Sequence, residues 1–87
     1  MSSSREMSRK CIFIFEDENI KPIELSLSFM PAIGHKFEID TIFVQYDDES
    51  KIKEEYLNPI PFKVTHLTTM MQPFSNMVTR ILLEYVK

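Results

Sequence analysis

Apolar and polar side chains alternate strictly from Ile23 to Phe29. Ile23, Leu25, Leu27 and Phe29 fall on one face, Glu24, Ser26 and Ser28 fall on the other, and Met30 closes the run. Successive side chains of a strand point to opposite faces, so this period of two predicts a half-buried strand over 23–30. A helix would scatter the same four apolar residues around its axis. An aspartate at Leu27 would then be a buried charge without a partner, and Leu27→Asp is expected to unfold the domain.

Other segments read less cleanly. Lys10 to Glu16, KCIFIFE, is rich in Ile and Phe and apolar on both faces, which predicts a strand. Asp17 to Asn19 suit a turn, and Asn19 to Pro22 can connect the first two strands as a hairpin. Pro31-Ala32-Ile33-Gly34 predicts another turn, because proline presets φ and glycine tolerates positive φ. Lys36 to Tyr46 is extended but slips phase. Phe37 and Ile39 share one face and Ile42, Val44 and Tyr46 the opposite one, so a bulge or bend is expected near Asp40 and Thr41. Asp47 to Leu57, DDESKIKEEYL, predicts a short helix or helical loop. Asp47 or Asp48 would cap it, Glu49 and Lys53 would pair along it, and Pro59 and Pro61 would end it.

Phe62 to Thr69 alternates weakly and predicts a strand, broken by Pro73. Ser75 to Lys87 supports two readings. Met77, Val78, Ile81, Leu82, Tyr85 and Val86 recur at helical spacing behind Ser75 as N-cap, yet the same stretch can pair as a final strand. The β context selects the strand. The fold expected is mostly β: a small barrel of about five antiparallel strands with a short helical insert. The alternative is an α+β arrangement with a C-terminal helix packed on the sheet. Residues 1–8, rich in Ser and charge, read as a disordered leader, and 9–87 as a single domain.

Composition narrows the function. Eighty-seven residues make one domain with one modest core. A single glycine, Gly34, argues against the glycine-rich loops that cradle phosphates. With 13 acidic and 10 basic side chains the net charge is −3, the reverse of the basic excess with which proteins neutralise nucleic-acid phosphates. Arg5, Arg9 and Lys10 cluster near the N-terminus and read as a solvated basic tail. Cys11, the single cysteine, cannot form an intramolecular disulfide or a cysteine-based zinc site, and between hydrophobic neighbours it reads as core. No apolar signal segment and no run approaching a membrane span occurs, so a cytoplasmic setting is expected.

Candidate chemistry is sparse. His35 and His66 lack metal-ligand spacing with each other or with Cys11. His35 is expected to be exposed after its turn, and His66 to be hydrogen-bonded in or near the sheet. Cys11 with either histidine offers a nucleophile–base pair, and the neighbouring Lys10 favours a thiolate, but a strand full of Ile and Phe selects the core reading over the partly exposed setting a reactive thiol needs. Asp40, Asp47, Asp48 and Glu49 form the densest acidic group, without EF-hand spacing, and read as caps or a solvated face. No catalytic constellation, metal or cofactor is implied, so the chain is expected not to be an enzyme. The segment MMQPFSNM is the best binding candidate, with Met70, Met71, Phe74 and Met77 as protein-binding residues. Methionine suits adaptable interfaces, and such a loop is too apolar to leave wet without reason.

The stretch LSLSFMPAIGHKFEI, Leu25 to Ile39, resembles a pattern in small SH3-like β-barrel proteins of bacteria and their phages: an apolar strand, a Pro-x-x-Gly turn at Pro31 to Gly34, then a strand opening on a charged residue. Later strands at Phe62 to Leu67 and Thr79 to Val86 extend the likeness, and the insert Tyr46 to Leu57 departs from it. It implies a barrel scaffold and carries no functional residue, since such scaffolds serve many functions. The function expected is a non-enzymatic protein-interaction or self-association module, such as a phage or mobile-element accessory protein. A protein partner or a homo-oligomer is expected, and no membrane. The alternative is a nucleic-acid-binding barrel using Arg5, Arg9, Lys10 and exposed aromatics such as Phe62 or Tyr46.

Overall fold

The computed structural model describes residues 9–53, 56, 58–71 and 77–86; the leader expected over 1–8 lies outside them. Among the described residues five strands form one curled mixed sheet, a half-barrel. They are β1 (Arg9–Phe15), β2 (Ile23–Leu27), β3 (Lys36–Ile39), β4 (Ile60–Met71) and β5 (Met77–Tyr85), in the spatial order β2-β1-β5-β4-β3. This order follows from rolling up a five-strand meander until its first and last strands meet.

The roll-up accounts for one departure from an all-antiparallel barrel. Strands that alternate in direction place the first and fifth the same way up, so joining them makes a parallel pair. Cys11 lies opposite Thr79 and Phe15 opposite Leu83 in that parallel register, and the other three pairings are antiparallel. β5 therefore lies in the middle of the sheet with a neighbour on each side. This placement resolves the C-terminal segment as a strand and overturns the helix alternative.

The inner face holds the core. Cys11, Phe13 and Phe15 of β1, Ile60, Phe62 and Val64 of β4, and Ile81 and Leu83 of β5 are all buried. Phe15 meets Phe62 edge-on at 4.9 Å between ring centroids, and Phe13 meets Phe37 at 5.1 Å. β4 carries an irregularity between Val64 and His66 that sets Thr65 outside the regular pairing and restores Leu67 to the core side, opposite Ile81.

Two further expectations are corrected. The alternating run forms a strand only over 23–27, and that strand is an edge. Ile23, Leu25 and Leu27 are half-buried, as their alternation predicts, with β1 on one side and no paired strand among the described residues on the other. Of the short helix or helical loop expected over 47–57, the described residues form one 3-10 turn at Glu49–Lys51, capped by Asp48; a second, at Thr41–Phe43, stands where a bulge or bend was expected. Each starts on an aspartate whose carboxylate accepts a backbone N–H two residues on: Asp40 from Ile42 at 3.1 Å, and Asp48 from Ser50 at 3.0 Å. The apolar positions of 47–57 are too few to bury a longer helix, and helices this short gain little without a buried face.

The Glu49–Lys51 turn and the stretch before it are tied to the loop after β1. The Asn19 amide donates to the Asp48 carbonyl and its side-chain oxygen accepts from the Asp48 N–H, both at 2.9 Å. Ile20 bridges to Tyr46, and the Tyr56 hydroxyl donates to the Asp17 carboxylate at 2.6 Å. Gly34 takes φ +94, the left-handed backbone that its turn requires. Its N–H donates to the Val64 carbonyl at 2.8 Å, which seats the turn against β4.

Candidate functional site

The distal end of the β4–β5 hairpin carries the methionines singled out from the sequence. Met71 lies opposite Met77 and Met70 opposite Val78. Both pairs lie past the last pairing of β5 with β1, at Thr79, and of β4 with β3, at Lys63. Met71 is 78% exposed and Met77 51% exposed, while Met70 is half-buried. Phe74 lies outside the described residues. The structure thus brings Met70, Met71 and Met77 together at one end of the hairpin. Two long thioether side chains face water there.

The opposite flank is open in another way. The sheet curls until β2 and β3 line one cavity of about 310 Å³, bounded by Phe13, Ile23, Leu25, Ile39 and Phe43, with Glu38 and Asp40 as its polar members. The two strands do not pair with each other. Phe43 is 66% exposed at this cleft, and its neighbour Ile42 is 82% exposed. The sequence hid this feature, because a period of two shows which face a strand buries and not whether its edge finds a neighbour.

The remaining candidates are placed plainly. His35 is exposed and lies against aromatic rings, 4.8 Å from Phe37 and 5.7 Å from Phe29. His66 is exposed on the outer face, with Nδ1 3.3 Å from the Thr65 hydroxyl; the bulge turns it out of the core. Of the acidic group, Asp40 and Asp48 cap the two turns and Asp47 stands 4.0 Å from Lys21. The Ser50 hydroxyl and N–H bonding to Asp48 hold its carboxyl below the usual range. Among the described residues no three acidic, His or Cys side chains gather as a metal site. Of the basic group, Arg5 lies outside the described residues and Lys10 pairs with Glu24 at 3.6 Å. Phe62 is corrected from an exposed aromatic to a core residue, and Tyr46 is half-buried. No helix among the described residues is long and apolar enough to cross a membrane.

Cys11 is buried completely, with its thiol 3.5 Å from the Arg9 carbonyl. Burial pushes its pKa above the ordinary 9.0, against the opposing pull of the Arg9 charge. The native thiol is therefore expected to react with a disulfide reagent only as fast as the sheet opens, which timed labelling in native and denaturing buffer will read. The sign of the pH effect follows. A raised folded-state pKa contributes stability that is complete below the ordinary value and lost as pH climbs past the folded one. Tyr46, raised by burial and by Asp17, acts in the same direction from its ordinary 10.0. The melting temperature is expected to fall as pH rises above about 9.

Comparison of the chain with family models, curated proteins and solved structures finds no match.

Proposed function

We propose that this chain is a non-enzymatic protein-interaction module, a small barrel of SH3-like kind, that docks a partner or a second copy through the β4–β5 hairpin end. A reducing compartment such as the cytoplasm suits its free thiol, Cys11. The observation that carries the reading is the exposure of Met71 and Met77 opposite each other on strands that outrun both neighbours. Unbranched, polarizable thioethers adapt to a partner's surface at little strain, and methionine is enriched in interface cores. The edge of β4 beyond Val64 has no neighbour among the described residues, so backbone pairing is available beside the methionines.

The test is Met71→Asp. The side chain is already in water, so the unfolding free energy is expected to change by no more than about 0.5 kcal/mol, the small range of surface substitutions. Partner retention on the immobilised protein, or self-association read by light scattering after size exclusion, is expected to be lost. An unfolded Met71→Asp protein, or unchanged association by both readouts, overturns the assignment.

A further inference from the structure

The cleft between β2 and β3 is flanked by two sheet edges whose backbone groups can be located. The Glu16 N–H donates to the Leu83 carbonyl at 2.9 Å. Even-numbered residues of β1 therefore turn their backbone groups toward β5, and odd-numbered ones toward β2. Ile23 and Leu25, opposite Phe13 and Cys11, answer those groups, so the N–H and C=O of Glu24 and Ser26 point away from the sheet. On the other flank the Val64 N–H donates to the His35 carbonyl at 2.8 Å, and the Val86 N–H donates to the Pro61 carbonyl at 3.0 Å. By the same alternation Phe37 and Ile39 bond to β4, and Glu38, opposite Pro61, turns its backbone groups outward. Open backbone groups thus border the apolar cavity from both sides.

Charge selects the occupant. Glu24 and Glu38 alternate with the inward-facing Leu25 and Ile39, so their side chains stand on the outer face on either side of the seam. Asp40 lies at the cleft itself. Lys10 lies 3.6 Å from Glu24, and Lys36 shares the outer face of β3. Among the described residues neither Glu38 nor Asp40 has a cationic side chain within 4.0 Å. A strand laid in the seam would send alternate side chains into the cavity and the others out between Glu24 and Glu38.

We propose that the β2–β3 seam binds an extended segment of a partner protein in which apolar residues alternate with lysine or arginine. The apolar residues enter the cavity lined by Phe13, Leu25 and Phe43. The basic ones pair across the strands with Glu24 and Glu38, and the segment's backbone bonds to Glu24, Ser26 and Glu38. This site is separate from the hairpin end and stands without it.

The probe is a short fluorescein-labelled peptide alternating valine with lysine, titrated against the full chain by fluorescence polarisation. Saturable binding that weakens with added salt is expected. The same peptide with glutamate for lysine is expected to bind about tenfold more weakly. Ser26→Pro removes an outward N–H without touching the ladder to β1, a position where edge strands accept proline. It is expected to keep its melting temperature and lose about fivefold in affinity. Glu38→Lys, on an exposed side chain, reaches the same end through charge and guards against misfolding of the proline variant. Met71→Asp is expected to bind the peptide unchanged, which separates this site from the hairpin end. Absence of binding, equal affinity for the two peptides, or indifference to both Ser26→Pro and Glu38→Lys overturns the proposal. A dimer of the unliganded chain that Ser26→Pro converts to monomer also overturns it, by making a second copy the occupant.

Discussion

Truncating Phe62 to alanine is expected to remove about 3–5 kcal/mol of stability, the usual loss for a buried aromatic. The ring is 1% exposed and sits edge-on to Phe15, on a strand bonded to β3 at one side and β5 at the other. None of these neighbours can collapse into the void, because each is held by its own ladder. Small domains have about 5–15 kcal/mol in total, so the loss is a large share of the reserve. Urea denaturation followed by circular dichroism reads it as a lowered midpoint at similar slope. A midpoint close to that of the wild type would show that Phe62 is not the centre of the core.

The second large effect is a contrast between two aspartates. Ile81 is fully buried in β5, opposite Phe13 on one side and Leu67 on the other. A carboxylate there has no partner and no path to water, so Ile81→Asp is expected to leave no cooperative unfolding transition at neutral pH. Leu27 ends an edge strand and is half-buried. Its replacement can swing toward solvent, so Leu27→Asp is expected to cost about 1–2 kcal/mol while the domain still folds, in place of the unfolding that the sequence pattern alone predicts. The same denaturation experiment checks both. Equal loss of structure in the two variants would place β2 deep in the sheet.

What the sequence could show follows from which interactions are local. The β2 run, the Pro31 to Gly34 turn and the mostly-β class are legible because they rest on side-chain period and backbone preference. The helical spacing of Met77 to Val86 misleads for a definite reason. β5 is flanked by strands on both sides and carries Leu82 on its outer face as well as Ile81 and Leu83 on its inner one. A strand that is apolar on both faces has no clean period of two. The parallel meeting of β1 and β5 is not written in either strand, since it comes from the number of strands in the roll. The open seam is hidden for a similar reason: whether Ser26 and Glu38 find backbone partners depends on how far the sheet curls. Of the proposed interface, only the methionine-rich segment announces itself, through composition.

The central parallel pair also shapes how the protein is made. β1 can form its hairpin with β2 early, but its other flank waits for β5, near the far end of the sequence. Joining them requires closing a loop over most of the domain, a slow step. Until then CIFIF stands with one ladder empty and apolar groups on both faces, the profile of a segment prone to cross-chain stacking. Arg9 and Lys10 before it and Glu16 and Asp17 after it are the charged gatekeepers that keep such a stretch apart from its copies. Neutralising the exposed Arg9, Lys10 and Glu16 would leave the native contacts of the core intact and shift the burden to nascent chains, where the yield of soluble protein rather than its melting temperature would register the change.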